Sequence, residues 1–156
     1  MIAAAFTALA LVFPPQAVVV PGKSFAGLHL GASGAQVRAT WGPRYGRCRA
    51  CTQPTWFFTY KRFEPQGAGV SFRSGTAEAY FTIWGPPGWH TDRGLKIGDP
   101  APRVTQLYGV LPRVECGTYV ALMLRRGRTA TQIYLYNEQV WGFGLSSVGA
   151  GAAACH

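Results

Sequence analysis

The residues best suited to covalent chemistry in this 156-residue chain are its four cysteines, Cys48, Cys51, Cys116 and Cys155. The first two form a Cys-x-x-Cys pair, with Arg47 before it and Arg49 inside it, and nearby positive charge lowers the pKa of a thiol. A redox-active pair of this kind begins a helix, whereas this one is expected to follow a helix and precede a strand. All four cysteines and His156 are also residue types that bind zinc, although only Cys48 and Cys51 have the close spacing typical of a zinc site.

Disulfide bonds are the simpler prediction for these cysteines. An even number of cysteines in a chain that is expected to be exported favours two bonds, and four cysteines allow three pairings. We favour Cys48 with Cys51 and Cys116 with Cys155. The second bond would close a loop of about 40 residues, stabilise the fold by about 4 kcal/mol and tether the Gly- and Ala-rich tail, residues 149–156. A redox pair and a zinc site remain the alternatives.

Side chains for hydrolytic chemistry are few. Ser33 lacks a Gly-x-Ser-x-Gly context and is explained as a helix cap. His90 and Asp92 could form a base and the group that orients it, but a hydrogen bond within a turn is the simpler explanation. The six acidic residues are scattered and form no evident carboxylate pair. We therefore predict no catalytic residue, no bound metal and no cofactor.

Positive charge is abundant, because 15 Lys and Arg against six Asp and Glu give a formal net charge of +9. One basic group has aromatic residues between its members: Arg44, Arg47, Arg49, Lys61 and Arg62, with Trp41, Tyr45, Trp56 and Tyr60. A second group forms a tight turn: Arg125, Arg126 and Arg128. Such patches could hold phosphates or an anionic wall polymer. The alternative is that these arginines only keep a Gly-rich protein soluble.

The stretch from Trp84 to Trp89, Trp-Gly-Pro-Pro-Gly-Trp, is a candidate contact site because tryptophan is enriched where partners dock. The alternative is a linker whose two indole rings fill the junction between two units. The residues predicted to bind a partner are therefore Trp84, Trp89, Arg125, Arg126 and Arg128.

The elements that must position these residues follow a duplicated pattern. Gly27-Leu28-His29-Leu30-Gly31, then Val37 and Trp41-Gly42, returns as Gly94-Leu95-Lys96-Ile97-Gly98, then Val104 and Tyr108-Gly109. A repeat at one fixed spacing indicates two copies of one unit. Each glycine-bounded stretch is predicted to be a strand, with His29 facing solvent.

Each copy is predicted to hold a short helix and then three strands. Ser33 caps the first helix and Asp99 the second, with Pro100 at the first helical position. Ser74-Gly75 is a good hairpin turn. The strands are predicted at residues 55–60, 69–73 and 77–84 in the first copy and at residues 118–126, 131–136 and 140–145 in the second.

We therefore predict an α+β fold of two tandem repeats, residues 18–88 and 89–148. Each repeat is a short helix followed by a three-stranded antiparallel meander. A copy of roughly 60 residues would bury only about 60% of its unfolded surface, so the two sheets are expected to join around a shared core.

Residues 2–13 are an apolar run that is shorter than the roughly 20 residues a membrane span needs. Pro14-Pro15-Gln16-Ala17 interrupts it, as in a secretory signal peptide cut near Ala17, so residues 1–17 are predicted to direct export. A mis-chosen start codon, a lipid-facing tail or a buried N-terminal helix would have the same composition. No other segment is long and apolar enough to cross a membrane, so the mature chain is expected to have no integral span.

The run Gly31-x-Ser33-x-x-x-Val37-x-x-x-Trp41-Gly42, with Cys48 just beyond it and the whole pattern repeated, resembles the β-lactamase-inhibitor-protein type of fold. It is similar, more loosely, to small outer-membrane assembly lipoproteins of the SmpA/OmlA kind. In that family each repeat packs a short helical element on an antiparallel sheet, and a cysteine after the helix is tied into the repeat. The resemblance covers residues 24–145. The positive charge and the Cys-x-x-Cys pair depart from the family, and no inhibitor contacts carry over.

What the resemblance implies is a secreted or envelope-located, non-enzymatic module that binds or inhibits another macromolecule. The expected partner is a protein or an anionic envelope polymer, with no specific nucleic acid. A fold alone does not prove a function. The alternatives are an extracytoplasmic thiol-redox protein that uses Cys48 and Cys51, or a basic module that binds an anionic polymer.

Overall fold

The computed structural model describes residues 13–59, 67–83, 85–147 and 155. Several predicted features lie outside these residues: Tyr60, Lys61, Arg62, Trp84, His156, most of the N-terminal apolar run and most of the tail. The described part combines two short helices with eleven strands. The predicted α+β class is therefore confirmed.

The helices are α1 (Gly34–Trp41) and α2 (Ala101–Tyr108). The strands are β1 (Gln16–Val20), β2 (Ser24–Phe25), β3 (Gly46–Arg47), β4 (Thr55–Thr59), β5 (Gly67–Arg73), β6 (Thr76–Ile83), β7 (Gly88–Thr91), β8 (Arg113–Glu115), β9 (Val120–Arg126), β10 (Thr129–Tyr136) and β11 (Gln139–Ser147).

Eight strands form one antiparallel sheet, the main sheet, in the order β3-β4-β5-β6-β11-β10-β9-β8. Strand β6 pairs with β11 through Tyr80 opposite Leu145, and this pairing joins the strands of the first half to those of the second. Each of the six predicted strands overlaps one of these strands. The prediction of three strands per half is wrong, because β3 and β8 add a short edge strand to each half.

Two tight hairpin turns connect long strands of the main sheet, one between β5 and β6 and the other between β10 and β11. Ser74 and Gly75 have φ of 50° and 81°, and Asn137 and Glu138 have φ of 48° and 58°. Two consecutive residues with positive φ suit the right-handed twist of paired strands, so the chain reverses tightly at both positions.

A second, smaller sheet has the order β2-β1-β7. Strand β1 pairs with β7 in parallel, with Val19 opposite Thr91. The predicted end of the signal peptide, Ala17, lies within β1, and Phe13 before it is buried in the core.

The repeated glycine-bounded stretches are turns, so the prediction of strands there is wrong. Positive φ at Gly27 and Gly31, 85° and 87°, bends the chain on both sides of the first stretch, and Gly94 and Gly98 do the same in the second. Each stretch forms a single isolated β-bridge. Leu28 pairs with Phe25 in the first stretch, and Lys96 pairs with His90 in the second.

The predicted cap of α1 is confirmed, whereas that of α2 is wrong. The Gln36 amide donates to Ser33 Oγ at 3.3 Å, and the Ser33 amide donates to Gln36 Oε1 at 2.8 Å, which completes a capping box. In the second half Pro100 is the N-cap, so it does not occupy the first helical position. Asp99 instead accepts from the Lys96 amide at 2.8 Å and closes the preceding turn.

The main hydrophobic core lies on the face of the main sheet that carries the helices and the small sheet. Val37 of α1, Val104 of α2 and Val19 of β1 are fully buried there. A second cluster, with Phe81 and Tyr134, lies on the opposite face. On that face the Phe81 ring lies against the backbone of Gly69. A side chain at this position would prevent the contact, because a Cβ at Gly69 would approach the ring within 2.3 Å.

Gly69→Ala is expected to destabilise the protein by about 1–3 kcal/mol, because the Phe81 ring must leave its position. Gly46→Ala is the matched control, since a Cβ at Gly46 would meet nothing within 4 Å. Urea unfolding of both variants measures the difference. Equal midpoints would contradict the placement of Phe81 over Gly69.

Candidate functional site

One cluster of arginine and aromatic side chains lies where α1 meets the edge of the main sheet. Helix α1 supplies Arg38, the residues at β3 supply Tyr45 and Arg47, and β4 supplies Trp56. Pairing of β3 with β4 places Arg47 opposite Trp56. We call these four residues the Arg–Tyr site.

The rings and guanidinium groups of the Arg–Tyr site form a stack. The Tyr45 and Trp56 rings are nearly parallel, at 17°, with centroids 4.1 Å apart. Arg47 Cζ lies 5.8 Å from the Tyr45 centroid, and Arg38 Cζ lies 5.5 Å from the Trp56 centroid, so each ring also meets a cation. Trp56 is anchored to the core by Phe72, at 4.6 Å between centroids. The stack is therefore held from below while its charged ends face solvent.

The Tyr45 hydroxyl accepts a hydrogen bond from one guanidinium group of the site. Arg47 Nη2 donates to Tyr45 Oη at 3.4 Å. This hydrogen bond, with a further contribution from Arg38, lowers the pKa of Tyr45 although desolvation opposes the shift. Both cations stabilise the phenolate form.

The arginines of the site have no counter-charge within the described residues. Ion pairs there involve only Arg73 and Arg113 as the cations. Both Arg38 and Arg47 are exposed. Two cations on neighbouring rings, without a carboxylate partner, can take an external anion, and guanidinium groups are suited to this because they present several donors in a planar fork.

The Cys48–Cys51 disulfide closes the loop that leads from β3 towards β4. The Cys48 amide also donates to the Thr55 carbonyl at 2.9 Å, which continues the pairing of the two strands. The loop therefore restrains the hairpin that carries Tyr45 and Arg47. Cys116 is bonded to Cys155. The structure therefore contains the favoured pairing. The four cysteines lie in two separate disulfide bonds and are not gathered as the ligands of one metal ion.

The structure corrects the prediction that Trp89 contacts a partner. Trp89 is fully buried, and its Nε1 donates to the Pro14 carbonyl at 3.0 Å. The turn before it leads directly into β7, which packs the indole against Phe13 and Trp41. Burial of Trp89 agrees with the alternative in which this ring fills a junction. Trp84 lies outside the described residues.

Arg125, Arg126 and Arg128 are all exposed at the hairpin between β9 and β10. Arg126 pairs with Thr129 across the hairpin, so Gly127 and Arg128 form its turn. The Arg126 side chain packs over Gly22, where an added Cβ would lie 2.8 Å from Arg126 Cβ. Arg125 points to the other face of the sheet, as alternation along a strand requires. We call Arg126 and Arg128 the basic turn.

In the described part of the chain, the side chains of His90 and Asp92 are not hydrogen-bonded to each other. His90 Nδ1 lies 3.3 Å from the Gly88 carbonyl, a hydrogen bond within its own turn. The Asp92 amide donates to the Val19 carbonyl, which ties this residue to β1. His29 is exposed but lies in a turn, with Nδ1 2.9 Å from the Lys23 carbonyl.

Sequence reasoning found three of the four residues of the Arg–Tyr site and missed Arg38. Tyr45, Arg47 and Trp56 lie within a short stretch rich in arginine and aromatic residues. Arg38 belongs to the preceding helix and reaches Trp56 only because α1 packs on the sheet. In the described part of the chain, neither helix has the length and apolar character that crossing a membrane requires.

No known protein family and no curated protein matches this chain. Its fold is similar to a DUF4309 family protein, YjgB, from Bacillus subtilis, at 14% identity and a TM-score of 0.58. That match covers 78% of this chain and 82% of the other. An extracellular protein containing an SCP domain, from Bacillus anthracis, is 11% identical with a TM-score of 0.56, and 76% of this chain covers 44% of it.

A cysteine-rich secretory protein from Staphylococcus aureus is 11% identical with a TM-score of 0.55, and 91% of this chain covers 52% of it. This chain therefore spans about half the length of the second and third structures. At such identities the likeness shows the fold alone, since one fold serves many functions.

Proposed function

We propose that this protein is an extracytoplasmic, non-enzymatic binding module whose Arg–Tyr site holds an anionic group of another macromolecule. The observation that carries the proposal is that two exposed guanidinium groups, with no carboxylate partner in the described part of the chain, flank the Tyr45–Trp56 stack, Arg47 at Tyr45 and Arg38 at Trp56. The site supplies positive charge and hydrogen-bond donors held in place by ring stacking. Such donors bind an anion without first having to be ordered, which lowers the entropic cost of association.

The extracytoplasmic part of the proposal has two supports. Both cysteine pairs are disulfide-bonded, and such bonds persist mainly outside the reducing cytosol. Two of the similar structures are described as extracellular or secretory proteins. Export would use the N-terminal apolar run, with a cut before Phe13 so that β1 stays whole.

We further propose that the two halves derive from one duplicated unit of the β-lactamase-inhibitor-protein type. In support, Val37 and Val104 are both fully buried on the two short helices. Each helix is also followed by four antiparallel strands of the main sheet.

The double variant Arg38→Gln/Arg47→Gln is expected to bind a small phosphate anion at least about tenfold more weakly, because charge-assisted hydrogen bonds contribute about 1.5–3 kcal/mol each. The probe is tripolyphosphate, titrated calorimetrically into the full chain at low salt. Tyr45→Phe removes one neutral donor and is expected to weaken binding by about fivefold.

Lys96→Gln/Arg103→Gln is the matched control. It also removes two positive charges, and both residues are exposed and belong to α2 or the turn before it, not to the elements that carry the Arg–Tyr site. Unchanged binding in the control with a loss in Arg38→Gln/Arg47→Gln supports the site. Equal weakening in both double variants would mean that net charge alone attracts the anion, and the proposed function would then be wrong.

A further inference from the structure

Basic residues gather at one end of the main sheet. The β3–β4, β5–β6 and β9–β10 connections all lie at this end, because Arg47 pairs with Trp56, Arg73 with Thr76 and Arg126 with Thr129. Strand β11 also finishes here, since Ser147 lies opposite Thr129. We call this end the turn end of the sheet. It carries the Arg–Tyr site on one side and the basic turn on the other.

Two acidic residues of the described part lie near the turn end, and each has basic neighbours. Glu78 is held by Arg73, with 2.5 Å between Arg73 Nε and Glu78 Oε2. Asp92 lies near Tyr108, where Arg93 and Arg126 also act on the phenol. At the opposite end of the sheet, Arg113 pairs with two carboxylates, those of Glu115 and Glu138. Among the described residues, the turn end therefore keeps an excess of positive charge.

An open cavity of about 420 Å³ lies between the Arg–Tyr site and the basic turn. Its lining includes Leu30, Gly31, Arg73, Thr76, Glu78 and Ser147. The cavity reaches from the β5–β6 turn to the end of β11, whose neighbour β10 begins beside the basic turn. A chain laid across this end would therefore pass over the cavity on its way between the two cationic sites.

The two cationic sites are too far apart for one small anion. Strand β9 is six positions from β3 in the sheet order. Neighbouring strands are about 4.8 Å apart, so the path along the sheet is about 29 Å. We propose that the ligand of the Arg–Tyr site is a flexible, linear, phosphate-bearing polymer that lies along the turn end and also contacts the basic turn. This inference rests on the proposed function and names its ligand class.

The chemistry of the Arg–Tyr site favours phosphate groups. Arg38, Arg47 and the Tyr45 hydroxyl together supply more than two donors, which suits the several oxygens of a phosphate better than the two of a carboxylate. A nucleic acid fits less well, because unspecific single-strand binding uses bases stacked on free rings. Here Tyr45 is already covered by Trp56 and Arg47.

The test compares tripolyphosphate with a long-chain polyphosphate on the full chain. A polymer that engages both sites gains about a hundredfold in affinity over a single-site ligand. Arg126→Gln/Arg128→Gln is expected to remove most of that gain and to leave tripolyphosphate binding unchanged. Lys96→Gln/Arg103→Gln again controls for net charge, and circular dichroism confirms folding of each variant.

The outcomes separate the inference from the proposed function. If Arg126→Gln/Arg128→Gln binds the long polymer as tightly as the unmodified chain does, the proposal that one ligand contacts both sites is wrong. The proposed function still stands in that case, provided that Arg38→Gln/Arg47→Gln binds tripolyphosphate more weakly than the unmodified chain does. Single-stranded DNA or a polycarboxylate that binds as tightly as polyphosphate of equal charge would overturn the assignment to a phosphate-bearing, non-nucleic polymer.

Discussion

Replacing Trp41 with alanine is expected to lower the free energy of unfolding by about 3–5 kcal/mol, the range for truncating a buried tryptophan. Trp41 is 1% exposed, and its Nε1 donates to the Ala26 carbonyl at 3.0 Å. Its ring contacts Phe58 of the main sheet at 5.3 Å and Trp89 of the small sheet at 6.2 Å between centroids. Truncation would leave a cavity between the two sheets and an unpaired carbonyl beside it.

Urea unfolding monitored by circular dichroism measures this loss. A typical domain is stable by only about 5–15 kcal/mol, so the variant is expected to be partly unfolded at 37 °C. Val110→Ala is the control, since Val110 is 90% exposed and its truncation should change stability by less than about 0.5 kcal/mol. Trp41→Phe should fall between the two, because it keeps a ring but loses the hydrogen bond. A Trp41→Ala variant as stable as Val110→Ala would contradict the packing described.

Features that depend on near neighbours in the chain were predictable from the sequence. Ser33 caps α1 because its partner, Gln36, is three residues away. The Ser74-Gly75 turn and the strands beside it follow from alternating apolar residues and one glycine. The class of the fold and six of its strands could be derived in this way.

Features that depend on distant partners were not predictable. Strand β1 is held by β7, and nothing near Val19 indicates that its partner is Thr91. Strands β3 and β8 have two and three residues, too few for any alternation to show.

The candidate site shows the same division. The density of arginine and aromatic residues around Tyr45 indicated an anion-binding surface, but the contact between Arg38 and Trp56 needs the packed helix. Trp89 was predicted to contact a partner because tryptophan is enriched where partners dock. A ring that fills a junction was the alternative, and only the packing of β7 beside β1 decides between them.

Removing the bond between Cys116 and Cys155 is expected to lower stability by about 4 kcal/mol, because the sequence separation of 39 gives a long closed loop in the unfolded chain. Removing the bond between Cys48 and Cys51, with a separation of 3, should cost about half as much or less. The variants are Cys116→Ser/Cys155→Ser and Cys48→Ser/Cys51→Ser, which leave no free thiol at either site. Urea unfolding under identical conditions gives the difference.

The same variants test the redox alternative. Alkylation without prior reduction should add no mass to the unmodified chain, because all described cysteines are bonded. A chain that catalyses insulin reduction by a dithiol, and loses this activity in Cys48→Ser/Cys51→Ser, would contradict a purely structural bond. Equal destabilisation by the two double variants would contradict the loop-entropy argument, since that argument depends on the separations of 39 and 3. The Cys48–Cys51 bond would then stabilise the native β3–β4 hairpin directly, in addition to its effect on the unfolded chain.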